Sequence, residues 1–401
     1  MRIAIVAAAA LTASAASAAD PIKGLTVHEW GVFRVHADAE SANADARAVW
    51  DALPGFVYGQ VKGRKLPMHW PSLEIRDKPV IFFHTGREAD VSLRVDFPGG
   101  MPGVWWPGTQ EQAVTDGRLA GAETGKPAGH LQWRLHVGGR GPVPPAVADG
   151  HWIGRLRKVD AAHVSAAVGE RGFGRENEGF VYYDGVFPRG RWVDVAARAD
   201  AVSLTNRAAH PVFDVTVVDR RTEGKVRVGR IGELGAGAEM KAVEFADADP
   251  AAFAAEAAGT LTKQLAAAGL NPDEAASLTD LYRGDFFEAP GLQVFYRIPQ
   301  AEYDRLLPMT LTPPAEKTVR VGLVFHPWHF PELAERVAAL VRELDAEEFD
   351  AREAASRRLE ELGPRAFPHL VRIRRDRLPA EVRDRIERLL DRHRPTYGGG
   401  T

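Results

Sequence analysis

The chain contains no cysteine. That excludes a disulfide framework, a thiolate nucleophile and a thiol-linked lipid, and it leaves buried apolar area as the source of stability. Beyond the first twenty residues, no run approaches the ~18 consecutive apolar residues of a membrane helix, so no membrane span is expected. Charge of neither sign dominates, with 51 Lys and Arg against 54 Asp and Glu and a net charge of -3. A surface that tracks phosphates would carry a basic excess, so nucleic acid is not expected as a partner. Also missing are a Gly-x-Ser-x-Gly elbow, a Gly-rich phosphate loop and a His-Glu-x-x-His helix pattern.

What is present begins with "MRIAIVAAAALTASAASAAD". One basic residue, an apolar stretch and a small-residue end predict a signal peptide over residues 1–19, with cleavage near Asp20 and a periplasmic or secreted product. At 401 residues the chain has room for two or three domains.

The body reads as strands. "VSLRVDFPGG" alternates Val91, Leu93, Val95 and Phe97 with polar partners and stops at a turn, and "FVYYDG" is a second strand with a turn signal behind it. Between them "MPGVWWPGTQEQ" and "GGRGPVPPAVADG" read as Gly/Pro-rich loops. Further on, "VSLTNRAAHPVFDVTVVD" and "KVRVGRI" hold three alternating runs split by short turns, which predicts an antiparallel meander of the sandwich kind. Asp249-Pro250 and Asn271-Pro272 each supply an N-cap with proline behind it, with Gly269 and Gly284 at the matching ends of a helix pair. "GLQVFYRIP" and "TVRVGLVFHPW" then return as strands. After Trp328 the composition turns to Ala, Leu, Arg and Glu. Leu333, Val337, Leu340, Val341 and Leu344, then Ala355, Leu359 and Leu362, then Val382, Ile386, Leu389 and Leu390 mark three helical faces.

The expected fold is therefore mainly β with α: β-sandwich-type domains, a helical-pair insertion and a C-terminal α-helical extension. The boundaries read as an N-terminal β-rich domain over 20–190, a β-sandwich-like domain over 191–328 with its insertion at 249–284, helices over 329–394 and a disordered tail over 395–401.

The opening "F-D-A-R-E-A-A", the junction "L-G-P-R-A-F-P-H-L" and the close "E-V-R-D-R-I-E-R-L-L" make the C-terminal segment resemble HEAT-like helical repeats. About one and a half helix pairs are too few for a solenoid, so the resemblance implies packing on the β region, through Trp328, His329 and Phe330, or on a protein partner. The stretches "TVHEWGVF", "KPVIFFHTGREADVSLRVDFPGGMPGVWWP", "ENEGFVYYDG" and "GLQVFYRIPQAEYDRLLP" resemble an uncharacterised family of exported bacterial proteins with an N-terminal His-Glu-Trp-Gly strand. That resemblance implies export and brings no activity, cofactor or catalytic residue.

Candidate chemistry centres on "LTVHEWGVFRV". In a regular strand His28 and Glu29 point to opposite faces, so they cannot share a metal or a proton. His28 shares its face with Trp30. Glu29 falls between Val27 and Phe33, where a carboxylate needs a partner, and Arg87 and Arg155 are the arginines expected to supply one. The remaining histidines, among them His69, His84, His130, His136, His151, His163, His210, His326 and His329, show no recognised metal spacing, and neither metal nor cofactor is expected. Two imidazoles in "HPWH" leave a zinc site incomplete. Glu176 and Glu178 share a strand face with Phe180 and Tyr182 and read as a solvated patch. Trp105 and Trp106 either fold onto the core or form a platform for glycan or peptide.

The expected function is an exported binding or scaffolding protein of the bacterial envelope, with Trp30, Arg87, Trp105, Trp106, Arg155 and Tyr182 as contact residues and the helical tail as a protein-binding surface. The competing expectation is a hydrolase of an envelope or extracellular polymer, with Glu29 or Glu178 as acid-base group and His28 as partner.

Overall fold

The structure is a computed structural model. It describes residues 19–35, 53–59, 73–98, 100–114, 127–139, 141–168, 174–188, 192–197, 201–222, 224–328, 331–362 and 377–393, with isolated residues between 363 and 376. The expected signal peptide and the disordered tail therefore lie outside the described residues, apart from Ala19, as do the side chains of Trp328, His329 and Phe330.

The first half holds β1 (Ile22–Arg34), β2 (Tyr58–Gly59), β3 (Leu73–His84), β4 (Ala89–Pro98), β5 (Met101–Trp106), β6 (Glu111–Val114), β7 (Pro127–Val137), α1 (Trp152–Leu156), β8 (Val164–Val168), β9 (Gly174–Glu178) and β10 (Val181–Pro188). Next come β11 (Val193–Ala197), β12 (Val202–Asn206), β13 (Val212–Arg220), β14 (Val226–Leu234), β15 (Glu239–Met240) and β16 (Ala246–Ala248). They are followed by α2 (Phe253–Ala267), α3 (Pro272–Arg283), a π-helical turn (Gly284–Glu288), β17 (Gly291–Ile298), α4 (Gln300–Leu306), β18 (Met309–Thr312) and β19 (Ala315–Trp328). Among the described residues after β19 there are three helices, α5 (Pro331–Glu343), α6 (Phe349–Leu362) and α7 (Ala380–His393).

The molecule is mainly β with α, as its alternating runs predict. A ten-stranded sheet in the order β16-β14-β13-β17-β19-β1-β3-β10-β5-β2 forms the middle layer. A six-stranded sheet, in the order β18-β4-β7-β8-β9 with β6 also paired to β7, and a three-stranded sheet, β11-β12-β15, cover one face. On that side Leu25, Val27, Phe33, Phe83, Trp133, Tyr183, Tyr296 and Val324 belong to one continuous core. The other face carries α1, α2, α3 and the π turn, with Trp30, Phe82, Trp106, Tyr182, Leu278, Phe286 and Phe325 in a second core. Because successive residues of a strand alternate between faces, β1 contributes to both cores at once.

The sheet also overrides the domain boundary expected near residue 190. β1 pairs in parallel with β19 and antiparallel with β3, so strands from both ends of the body sit side by side at its centre. The predicted meander is divided. β13 and β14 form a hairpin, but β13 already has β14 and β17 on its two edges, so β12 pairs instead with β11 and β15. Asn206 secures that corner by donating to the carbonyls of His210, Leu234 and Gly235. "MPGVWWPGTQEQ" is not a loop: it forms β5 and β6, because strand geometry sends Trp105 into the sheet-facing core and Trp106 into the helix-facing one. Gly284 caps α3 as expected, and the chain runs on from it directly into the π turn. The helical faces expected after Trp328 are buried against one another, from Val337 and Leu340 through Leu359 to Ile386 and Leu390, in a third core that shares no residue with the other two.

Candidate functional site

The three acid-base candidates from the sequence, His28, Glu29 and Glu178, occupy three separate environments. Glu29 is fully buried and does have an arginine, but the partner is Arg320 rather than Arg87 or Arg155. Parallel pairing sets Glu29 opposite Arg320, and the guanidinium Nε donates to Glu29 Oε2 at 2.5 Å. The hydroxyls of Tyr183 and Tyr303 donate to Oε1. Arg320 also donates to Asp304 at 2.9 Å and to the Leu307 carbonyl at 2.8 Å, and its guanidinium lies over the Tyr303 ring. Burial by itself would lower the Arg320 pKa, but Glu29 and the two phenols hold it above the ordinary range. Arg87, an exposed residue, donates instead to the Lys23 carbonyl, and the exposed Arg155 donates to the Asp280 carbonyl.

Glu178 is not solvated. It is fully buried at the end of β9, gripped by Arg157 at 2.7 Å, and it accepts from Trp106 Nε1 at 3.1 Å. The chain bends after it, so Glu178 and Tyr182 belong to different strands. Trp105 and Trp106 are buried and form no exposed platform; the half-open ring of Tyr58 stacks on both. Tyr58 donates to Glu176 at 2.6 Å, and burial together with that carboxylate pushes its pKa up to about 12. Trp30 and Tyr182 are core residues, and His326 contacts Tyr296 at 3.1 Å within the sheet. Trp30, Trp105, Trp106 and Tyr182 thus offer no open contact surface.

His28 is different. Antiparallel pairing sets His84 opposite Thr26 and Phe82 opposite His28, so the two histidines are diagonal neighbours on the helix-facing side of β1 and β3. Their ring centroids are 4.8 Å apart. Above them lies the first turn of α3. "NPDE" builds a capping box there: Asn271 is the N-cap, Pro272 follows, and Glu274 at the third helical position reaches back to accept the Asn271 N–H at 2.8 Å. The same carboxylate meets both imidazoles, with Oε2 at 2.7 Å from His28 Nδ1 and Oε1 at 2.9 Å from His84 Nε2.

Among the described residues Glu274 makes ion-pair contacts with those two histidines and with no lysine or arginine. Burial would raise its pKa, but hydrogen bonds from His28 and His84 hold the carboxyl down at about 2. A carboxylate only accepts, so in this arrangement each facing ring nitrogen carries its proton. The ligand atoms of His28, His84 and Glu274 all lie within 4.8 Å of one another. A tetrahedral zinc with bonds of about 2.0–2.1 Å needs its ligands roughly 3.3 Å apart, so a side-chain movement of under about an ångström would admit it.

The set was half legible. His28 is singled out on its strand and Asn271 as a helix cap, whereas His84 reads as one of many scattered histidines with no metal spacing. Nothing in the linear pattern said that Glu274 of that cap would close over residues 246 and 190 positions away. Comparison with known families, with curated proteins and with solved structures finds no match.

Proposed function

We propose that the protein is an exported binding protein of the bacterial envelope, and that its ligand is a divalent transition-metal ion held by His28, His84 and Glu274. The carrying observation is the convergence of two imidazoles and one carboxylate from β1, β3 and α3 at a nearly closed site. Two nitrogens and one oxygen suit Zn2+ and its neighbours better than Ca2+ or Mg2+, which favour all-oxygen shells. The dication also answers the electrostatic problem of a fully buried carboxylate that has no arginine or lysine beside it among the described residues.

The polymer-hydrolase reading through Glu29 or Glu178 has less support. Each of those carboxylates is locked to its own arginine, and His28 and Glu29 face different cores. A metal-free clamp is the competing reading, favoured by separations of 2.7 and 2.9 Å, which are hydrogen-bond lengths.

Cobalt titration decides between them. The metal reading expects one Co2+ per chain with the visible absorption of a low-coordinate site, displaced by Zn2+, and at least a hundredfold weaker in His28→Ala and Glu274→Gln. Wild-type protein that takes up no Co2+ or Zn2+ at micromolar concentration leaves the clamp as the answer. Cell fractionation tests export: a product that keeps Met1 and stays in the cytoplasm overturns it.

A further inference from the structure

Resting on that metal reading, we infer that the site keeps one coordination position for an external anionic ligand that binds through oxygen or nitrogen, and that the side-chain amide of Asn271 is the donor that orients it. Among the described residues the site has three groups able to ligate, and three protein ligands on a four-coordinate ion leave one position to water or an incoming molecule. Access is one-sided. The side chains of His28 and Glu274 are 4% and 0% exposed, whereas that of His84 keeps 19%, so solvent reaches the cluster along the His84 edge.

Asn271 stands on that edge, half-buried. Its amide oxygen faces the Glu274 backbone N–H in the capping box, an N–H that donates to Asp273 Oδ1 at 3.0 Å, and its amide nitrogen is turned toward His84. That nitrogen lies 3.4 Å from both ring nitrogens of His84. An atom equidistant from Nδ1 and Nε2 sits against the ring face, out of line with the in-plane direction of either nitrogen, so the amide protons are not spent on a strong in-plane hydrogen bond. An anion arriving by the His84 edge would meet them beside the metal. It would also meet the positive end of the α3 dipole, which favours negative charge at the same place.

Two probes test this on the full chain: azide, and acetohydroxamate as an oxygen-donor chelator, each titrated into the Co2+-loaded protein and followed by its visible absorption. The inference expects both to shift the cobalt spectrum. Asn271→Ser keeps a good N-cap but has no amide donor, so at saturating Co2+ it should bind azide about tenfold more weakly, the loss of one hydrogen bond to a charged group. Loading is measured first, so failure to take up Co2+ counts against the metal reading and not against this one. A loaded wild type whose spectrum ignores both probes has a closed coordination shell, and the inference falls. It falls equally if Asn271→Ser binds azide as the wild type does, since the amide is then a helix cap and nothing more.

Discussion

His28 and Glu29 are adjacent on β1, and their surroundings differ completely. Below the strand, Glu29 is matched by a guanidinium and two phenolic hydroxyls, with two donors on Oε1 and one on Oε2. Above it, His28 meets a carboxylate that has imidazoles for side-chain partners, and imidazoles can give up those protons and offer lone pairs instead. The two carboxylates, Glu29 and Glu274, are equally deeply buried. What separates a structural charge from a ligand set is therefore the chemistry of the partners: arginine cannot become a metal ligand, and histidine can.

That contrast breaks most sharply at Arg320. Arg320→Met strands the Glu29 carboxylate in the sheet interface, and denaturant unfolding should show a loss of about 3–5 kcal/mol, largely recovered when Glu29→Gln is added. On the other face, Zn2+ at about a hundred times its dissociation constant should stabilise the wild type by about 2.7 kcal/mol and His28→Ala hardly at all; equal shifts in melting temperature for the two would refute the ligand set. Gly31 sharpens the comparison, because a Cβ there would come within 3.1 Å of the Tyr303 hydroxyl and 3.2 Å of Pro79 Cα, on the Glu29 side. Gly31→Ala should cost about 1–3 kcal/mol in unfolding while leaving the Co2+ dissociation constant within a factor of about three. The smallest effect is expected from removing residues 331–401: the three closing helices share no core residue with the body, so body melting and metal uptake should stay unchanged. A clear drop in either would mean that the helices brace the sheet.

Much of the fold can be read directly from the pattern of residues. Alternation in "VSLRVDFP" and "VFDVTVVD" makes strands, Asn271-Pro272 starts a helix, and three apolar stripes after Trp328 make three packed helices. The tryptophan pair misleads because proline and glycine around it signal a loop, whereas burying two indoles on opposite faces of a strand is worth more than those local preferences. The need of Glu29 for an arginine is likewise legible, while the identity of that arginine is not.

What the sequence determined alone is local: which segments are strands or helices, that His28 and Glu29 diverge, and that a carboxylate between apolar neighbours must be paired. These follow from backbone periodicity and from the cost of burying charge, both properties of short stretches. Tertiary structure decided which distant residues meet. Parallel pairing of β1 with β19 chose Arg320, and the seating of α3 over β1 and β3 brought Glu274 to His28 and His84. Register and helix docking arise from the whole core packing at once, so no local pattern encodes them.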